Sequence, residues 1–174
     1  TMPNRLVESA WAQHVPFAFV LVEMHKPRLL VELGTYSGLS YCAFCQAVVE
    51  LKLSTKCFAV DTWEGDAHTG RYDDATYREL CTYHDRHYSG FSSLMRMTFD
   101  DALEYFDDGS IDVLHVDGCH FYESVKRDFE SWVPKLSQRG VALFHDSSER
   151  DYGFGVWRFL DELRQSYPTF EFRH

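Results

Sequence analysis

No apolar run in the chain reaches the ~18–20 residues that a membrane-crossing helix requires. The N-terminal stretch also lacks a basic segment followed by an apolar stretch and a small-residue cleavage site, so a soluble, cytoplasmic protein is expected. Basic residues are scarce: 17 Lys and Arg stand against 27 Asp and Glu, a formal net charge of −10. That charge repels a phosphate backbone, and the scattered cations form no stripe, which argues against nucleic acid as a partner. Cysteine is limited to an odd set of five, and Cys42 and Cys45 lie three apart in an apolar helical stretch. This spacing puts both on one helix face, as buried free thiols rather than a redox pair or half a zinc site. A G-x-G-x-x-G dinucleotide fingerprint, internal repeats, low-complexity tracts and a second-domain boundary are likewise missing.

With 174 residues and 45% hydrophobic content, the chain can bury one substantial core, so residues 1–174 are expected to form one domain. Four apolar runs, Leu29–Leu33, Cys57–Val60, Ile111–Val116 and Val141–Phe144, alternate with helix-sized stretches, and a weaker strand is expected at Leu94–Thr98. That alternation predicts an α/β, Rossmann-like fold: a mostly parallel sheet with helices on both faces. Helices are expected over Ser37–Leu51, Asp101–Tyr105, Tyr122–Leu136 and Tyr152–Tyr167, the last stopped by Pro168, with one more over Val7–Met24 kinked at Pro16. Residues 63–91 are polar, rich in Tyr and His and long for a βα connection, and are expected to form a helical, lid-like insertion over the site. The last strand candidate, Thr169–Arg173, runs into the C-terminus. The C-terminal hairpin therefore looks incomplete, as if the domain were excised from a larger protein.

In an open parallel sheet the ligand crevice lies at the carboxyl ends of the strands. The first strand runs into Gly34-Thr35-Tyr36-Ser37-Gly38, a turn that lets backbone approach a ligand before a helix N-terminus. A purely structural tight turn would use the same residues. Asp61, at the tip of the next strand, can accept hydrogen bonds from two ribose hydroxyls. Glu32 would repel a phosphate. A cationic nucleoside without phosphates fits this set, and S-adenosylmethionine has that description.

The turn resembles the first motif of class I S-adenosylmethionine-dependent methyltransferases. Four further stretches resemble one branch, the family of macrocin-type O-methyltransferases and cephalosporin hydroxylase-like proteins: Val60–Asp66, Leu114–Tyr122, Gly140–Asp146 and Gly153–Phe159. The resemblance implies that Glu32, Gly34 and Ser40 lie along the methionine part of the cofactor and that Tyr36 and Ser37 also bind it. It puts Asp61 and Asp117 at the cofactor too, with Phe99 and Asp100 bordering the adenine. Trp63 would stack beside the adenine, although an aromatic after a strand also serves as a core plug. Class I methyltransferases close their sheet with an antiparallel hairpin, of which Thr169–Arg173 would supply the first strand.

Asp117 and His120 follow one strand and His145 and Asp146 end its neighbour, so a parallel sheet would gather all four. Carboxylates and imidazoles suit a divalent cation, Mg²⁺ or another, and a nearby His can take a proton near neutral pH. Related metal-dependent O-methyltransferases place metal ligands where Asp117, His145 and Asp146 stand and the catalytic base where His120 stands; His145 replaces an acidic ligand. Capping of the following helix or turn would account for Asp117 and Asp146 as well. His115, inside a strand, is expected to be a core or interface histidine. The insertion residues His68, Tyr72, Tyr77, His84, His87 and Tyr88 would either contact substrate or form a solvated lid. The expected function is O-methylation of a small-molecule or carbohydrate acceptor, with a second copy or neighbouring domains of a larger chain as protein partners. The competing expectations are a non-catalytic cofactor-binding module of a polysaccharide-assembly protein and an oxidative enzyme on the same scaffold.

Overall fold

The computed structural model describes residues 2–66 and 70–172. Helices are α1 (Val15–His25), α2 (Leu39–Glu50), α3 (Asp74–His87), α4 (Phe99–Ala102), α5 (Tyr122–Trp132) and α6 (Val156–Leu163). Strands are β1 (Leu29–Leu33), β2 (Lys56–Asp61), β3 (Gly65–Asp66), β4 (Gly70–Arg71), β5 (Ser92–Arg96), β6 (Ile111–Val116) and β7 (Leu136–Phe144). Five of these form one sheet in the order β5-β2-β1-β6-β7, every neighbouring pair parallel, and β3 and β4 form a separate small hairpin. No helix among the described residues is long and apolar enough to cross a membrane.

The strands are nearly continuous apolar runs because both faces are covered. Successive side chains alternate between two cores. Leu30, Cys57, Ala59 and Val113 pack with α1, α2 and Leu80 of α3, whereas Val31, Val60, Leu114 and Val116 pack with Val125 and Phe129 of α5 and Phe159 of α6. Helix α2 is buried almost all round, its N-cap being Gly38 at φ +81°, where a Cβ would lie 2.4 Å from the Leu80 side chain. That glycine is why the helix starts at Leu39 rather than Ser37.

Several expected boundaries move. The N-terminal helix is not one kinked element: a 3₁₀ turn, Ala10–His14, is capped by the Ser9 hydroxyl, and α1 then starts with Pro16 in its first turn, where the missing N–H costs nothing. Helix α5 passes into a 3₁₀ turn at Val133–Lys135 because Pro134 cannot continue it. Helix α6 begins only at Val156, since Gly153 at φ +80° and a bridge between Phe154 and Phe121 keep the preceding residues extended. Strand β5 sits at Ser92–Arg96, two residues earlier than expected, and β7 is longer than Val141–Phe144. At this sheet edge polar residues are tolerated: Ser137 donates to the buried carboxylate of Asp112, which also holds Arg28 in a two-pronged ion pair.

In the stretch 63–91, helix α3 buries Leu80 and His84 and serves as the crossover between β2 and β5, and among the described residues of the stretch Gly65, Asp66 and Tyr72 line the cavity. His68 lies outside the described residues. The strand expected at Thr169–Arg173 does not form over 169–172: Phe170 and Phe172 are exposed, and among the described residues no strand pairs with them. Arg173 is outside the described residues.

Candidate active site

The tips of β1, β2 and β6 are held together by backbone. Gly34 donates to the Val60 carbonyl at 2.9 Å and Asp117 to the Leu33 carbonyl at 2.8 Å. Gly34 has φ +84°, and a Cβ there would lie 2.3 Å from the Asp117 carbonyl oxygen, so only glycine lets the two tips meet. Asp61 clasps the turn that follows: one carboxylate oxygen accepts from the Thr35 and Tyr36 amides at 2.8 and 2.9 Å, the other from the Trp63 amide at 2.8 Å. These contacts hold Tyr36 at φ +47° with its side chain half exposed, ring to ring with Tyr72 at 4.6 Å.

Above this turn opens a cavity of about 850 Å³. It is lined by Gly34, Thr35, Tyr36, Ser37, Ser40 and Asp61, by Phe99 and Gly118, and by Asp117, His120, His145 and Asp146. Three of the expected cofactor residues do not line it. Trp63 is 1% exposed and turned inward, its indole N–H donating to the Tyr36 carbonyl, so it is a core plug. Asp100 is exposed and ion-paired with Arg127, which itself lines the cavity. Glu32 is fully buried beneath the floor, bonded at 2.8 Å to His115 on the neighbouring strand. Burial pushes the Glu32 carboxyl up, against the opposing pull of His115. His115 is thus a core histidine, as its position in a strand suggested, though its other ring nitrogen lies 4.0 Å from Asp117.

Asp117, His120, His145 and Asp146 form a closed network. His120 Nε2 lies 3.1 Å from Asp117 and 3.5 Å from Asp146, and His145 Nδ1 lies 3.4 Å from Asp117 and 3.2 Å from Asp146. Burial pushes the Asp117 carboxyl up, but hydrogen bonds to His120 and His145 outweigh it and hold the group well below the ordinary carboxylate range. Burial likewise opposes charge on His145, yet the two carboxylates raise its pKa to about 10. Ligand atoms of Asp117, His120 and His145 all lie within 4.8 Å of one another, the spacing of a cation site. These contacts are made side chain to side chain, which goes beyond what capping of a helix or turn requires.

A family model described as a methyltransferase domain matches residues 31–147, from the first strand through the last of these polar residues. The chain belongs to this methyltransferase family. A curated relative in Sinorhizobium fredii, the uncharacterized protein y4gI, is 52% identical over 164 residues, a match that takes in 94% of this chain and 18% of that protein. Among solved structures, the O-methyltransferase TomG of Streptomyces achromogenes in complex with SAM aligns with a TM-score of 0.65 at 16% identity, over 94% of this chain and 72% of that one. SAH-bound PaMTH1 of Podospora anserina aligns with the same score and identity over 91% and 69%. At such identities the likeness shows the fold: a Rossmann-like methyltransferase domain.

Part of this cavity is lined by residues that carry no signal in the sequence. Asp128 of α5 lines it, half buried, and burial raises its pKa to about 7, against the pull of Arg127. Nothing in the helical pattern separates Asp128 from the solvated acids beside it. Ser9, Ala10 and Trp11 also reach the cavity from the N-terminal 3₁₀ turn, a contact between segments remote in sequence.

Proposed function

We propose that this domain transfers the methyl group of S-adenosylmethionine to a hydroxyl oxygen of a sugar or a glycosylated small molecule. The observation that carries the reading is that the Asp61-clasped glycine turn and the Asp117–His120–His145–Asp146 network open into one cavity. The turn suits a cationic nucleoside, with Ser37 and Ser40 beside the amino-acid end and Phe99 toward the base. Asp61 still has lone pairs for the ribose hydroxyls. The network suits the removal of a proton. The acceptor oxygen attacks the sulfonium methyl in line, the C–S bond breaks, and the hydroxyl proton passes to His120, leaving a methyl ether and S-adenosylhomocysteine. Asp117 and Asp146 hold the His120 ring and stabilise the imidazolium that forms. Asp117 and His145, which belong to the cation-spaced group, would also hold a divalent cation, which would lower the pKa of the acceptor hydroxyl. The Tyr36–Tyr72 pair at the mouth offers the aromatic face that a sugar ring packs on.

One observation favours a second reading. Two imidazoles and a carboxylate within ligand distance of one another are also the donor set of non-haem iron oxygenases. The experiment is a His120→Ala substitution assayed with S-adenosylmethionine and a panel of methyl glycosides. Turnover is expected to fall by about 10²–10⁴-fold while S-adenosylhomocysteine affinity stays within about twofold. Full turnover in the variant removes His120 as the base. Product formation that requires iron and oxygen establishes the oxidative reading instead.

A further inference from the structure

The stretch Gly153-Phe154-Gly155-Val156-Trp157-Arg158-Phe159 stands out in the sequence, lies beyond the residues that the family model matches, and contributes nothing to the cavity lining. Its residues fold back onto the turn that carries His120. Phe154 pairs with Phe121 in an antiparallel bridge, and the Gly155 amide donates to the His120 carbonyl at 2.8 Å. A Cβ on Gly155 would lie 2.4–2.5 Å from backbone and Cβ atoms of Tyr122, so this close approach requires glycine. Phe154 is pinned from both sides: its amide donates to the Asp151 carbonyl at 3.0 Å, and its carbonyl accepts from the Trp157 indole at 3.0 Å. The Arg150 guanidinium covers that indole at 4.0 Å.

The Phe154 ring lies on the His120 imidazole with centroids 4.9 Å apart and planes 20° from parallel. Phe154 is half-buried, outside the two core clusters of the described residues. A flat ring stacked on one face of the imidazole restricts rotation about the last side-chain bond, a torsion that is otherwise broad. The two carboxylates fix where Nε2 points, and the stack fixes the plane in which it lies.

We propose that Phe154 is a positioning residue that holds the plane of the His120 imidazole, the plane in which its Nε2 N–H meets the Asp117 and Asp146 carboxylates. The residues Gly153–Gly155, tied back by the Phe154–Phe121 bridge and the Gly155 amide, bring the Phe154 ring there. This inference rests on His120 being the proton acceptor. Positional errors of about 1 Å cost on the order of 10²-fold in rate, so removing the stack acts on chemistry and not on cofactor binding.

The test compares the wild-type domain with Phe154→Ala, Phe154→Tyr and His120→Ala. Imidazole ring protons are followed by NMR, the His120 signals being assigned by their loss in His120→Ala. In Phe154→Ala the His120 signals are expected to move downfield as the ring-current shielding disappears, and in Phe154→Tyr to stay near their wild-type positions. With S-adenosylmethionine and methyl glycosides, Phe154→Ala is expected to lower kcat by about 10–100-fold at unchanged KM and unchanged S-adenosylhomocysteine affinity, with Phe154→Tyr restoring most of the rate. Unmoved His120 signals in Phe154→Ala overturn the stack. Moved signals with unchanged kcat overturn its role in positioning, as does a loss of cofactor affinity and melting temperature that Phe154→Tyr shares. If His120→Ala itself keeps full turnover, the base assignment fails, and the inference fails with it even where the NMR result shows the stack to be real.

Discussion

Replacing Asp61 tests the cofactor binding proposed for the glycine turn. Its carboxylate accepts three backbone N–H groups, from Thr35, Tyr36 and Trp63, at 2.8–2.9 Å. A hydrogen bond to a charged group contributes about 1.5–3 kcal/mol. The three amides border an open cavity, so water recovers part of the loss, and Asp61→Ala is expected to destabilise the domain by about 2–4 kcal/mol rather than by the full sum. At about 2–4 °C per kcal/mol for a chain of this length, Tm falls by roughly 5–15 °C. Affinity for S-adenosylhomocysteine should fall by about 10–150-fold, because the turn loosens and the ribose loses its acceptor together. Asp61→Asn separates the two effects. Its amide oxygen can still serve Thr35 and Tyr36, but its NH₂ faces the Trp63 amide, donor against donor, and offers the ribose no charge. That variant should keep most of the wild-type Tm and still bind about tenfold more weakly. Scanning calorimetry and calorimetric titration measure both. Unchanged affinity in a folded Asp61→Asn protein refutes ribose binding by Asp61, and an unchanged Tm in Asp61→Ala refutes its role as the clasp of the turn.

Gly34→Ala should lower Tm further than Gly118→Ala. The first puts a Cβ 2.3 Å from the Asp117 backbone at φ +84°, adding about 1–2 kcal/mol of left-handed strain to a clash between rigid strand tips. The second meets the edge of the Phe99 ring at 2.7 Å, and a ring can turn; equal melting temperatures would contradict this. Asp128 has its folded-state pKa raised to about 7 by burial, whereas the unfolded chain titrates near an ordinary carboxyl. For a raised carboxyl, the stability present below the unfolded pKa is lost as pH rises through the folded one, because the buried charge must then form. Asp128→Asn should therefore be close to neutral at about pH 4 and stabilising at about pH 8, as read by urea unfolding of the cofactor-free domain. The same change at both pH values would show that burial does not set the Asp128 titration.

Much of the fold was legible in the sequence because a parallel sheet covered on both faces demands uninterrupted apolar runs, and Leu29–Leu33 and Ile111–Val116 are such runs. The polar residues that end them were legible for a related reason. Chemistry at this kind of sheet gathers at the strand tips, so Asp61, Asp117, His120, His145 and Asp146 could be named before any contact was known. What depends on register, side-chain direction or the approach of distant segments is not written in local pattern. Glu32 was expected in the site, but the β1–β6 register pairs it with His115 and buries both beneath the floor. The direction of one side chain made Trp63 a plug rather than a stacking surface, and its bond to Tyr36 holds it there. Residues 169–172 have the alternation of a strand yet form none, because a strand is stable only against a neighbour, and that neighbour is a matter of tertiary structure. Phe154 belongs to the same class: its motif was visible in the sequence, but only the return of its turn onto His120 gave the ring a partner.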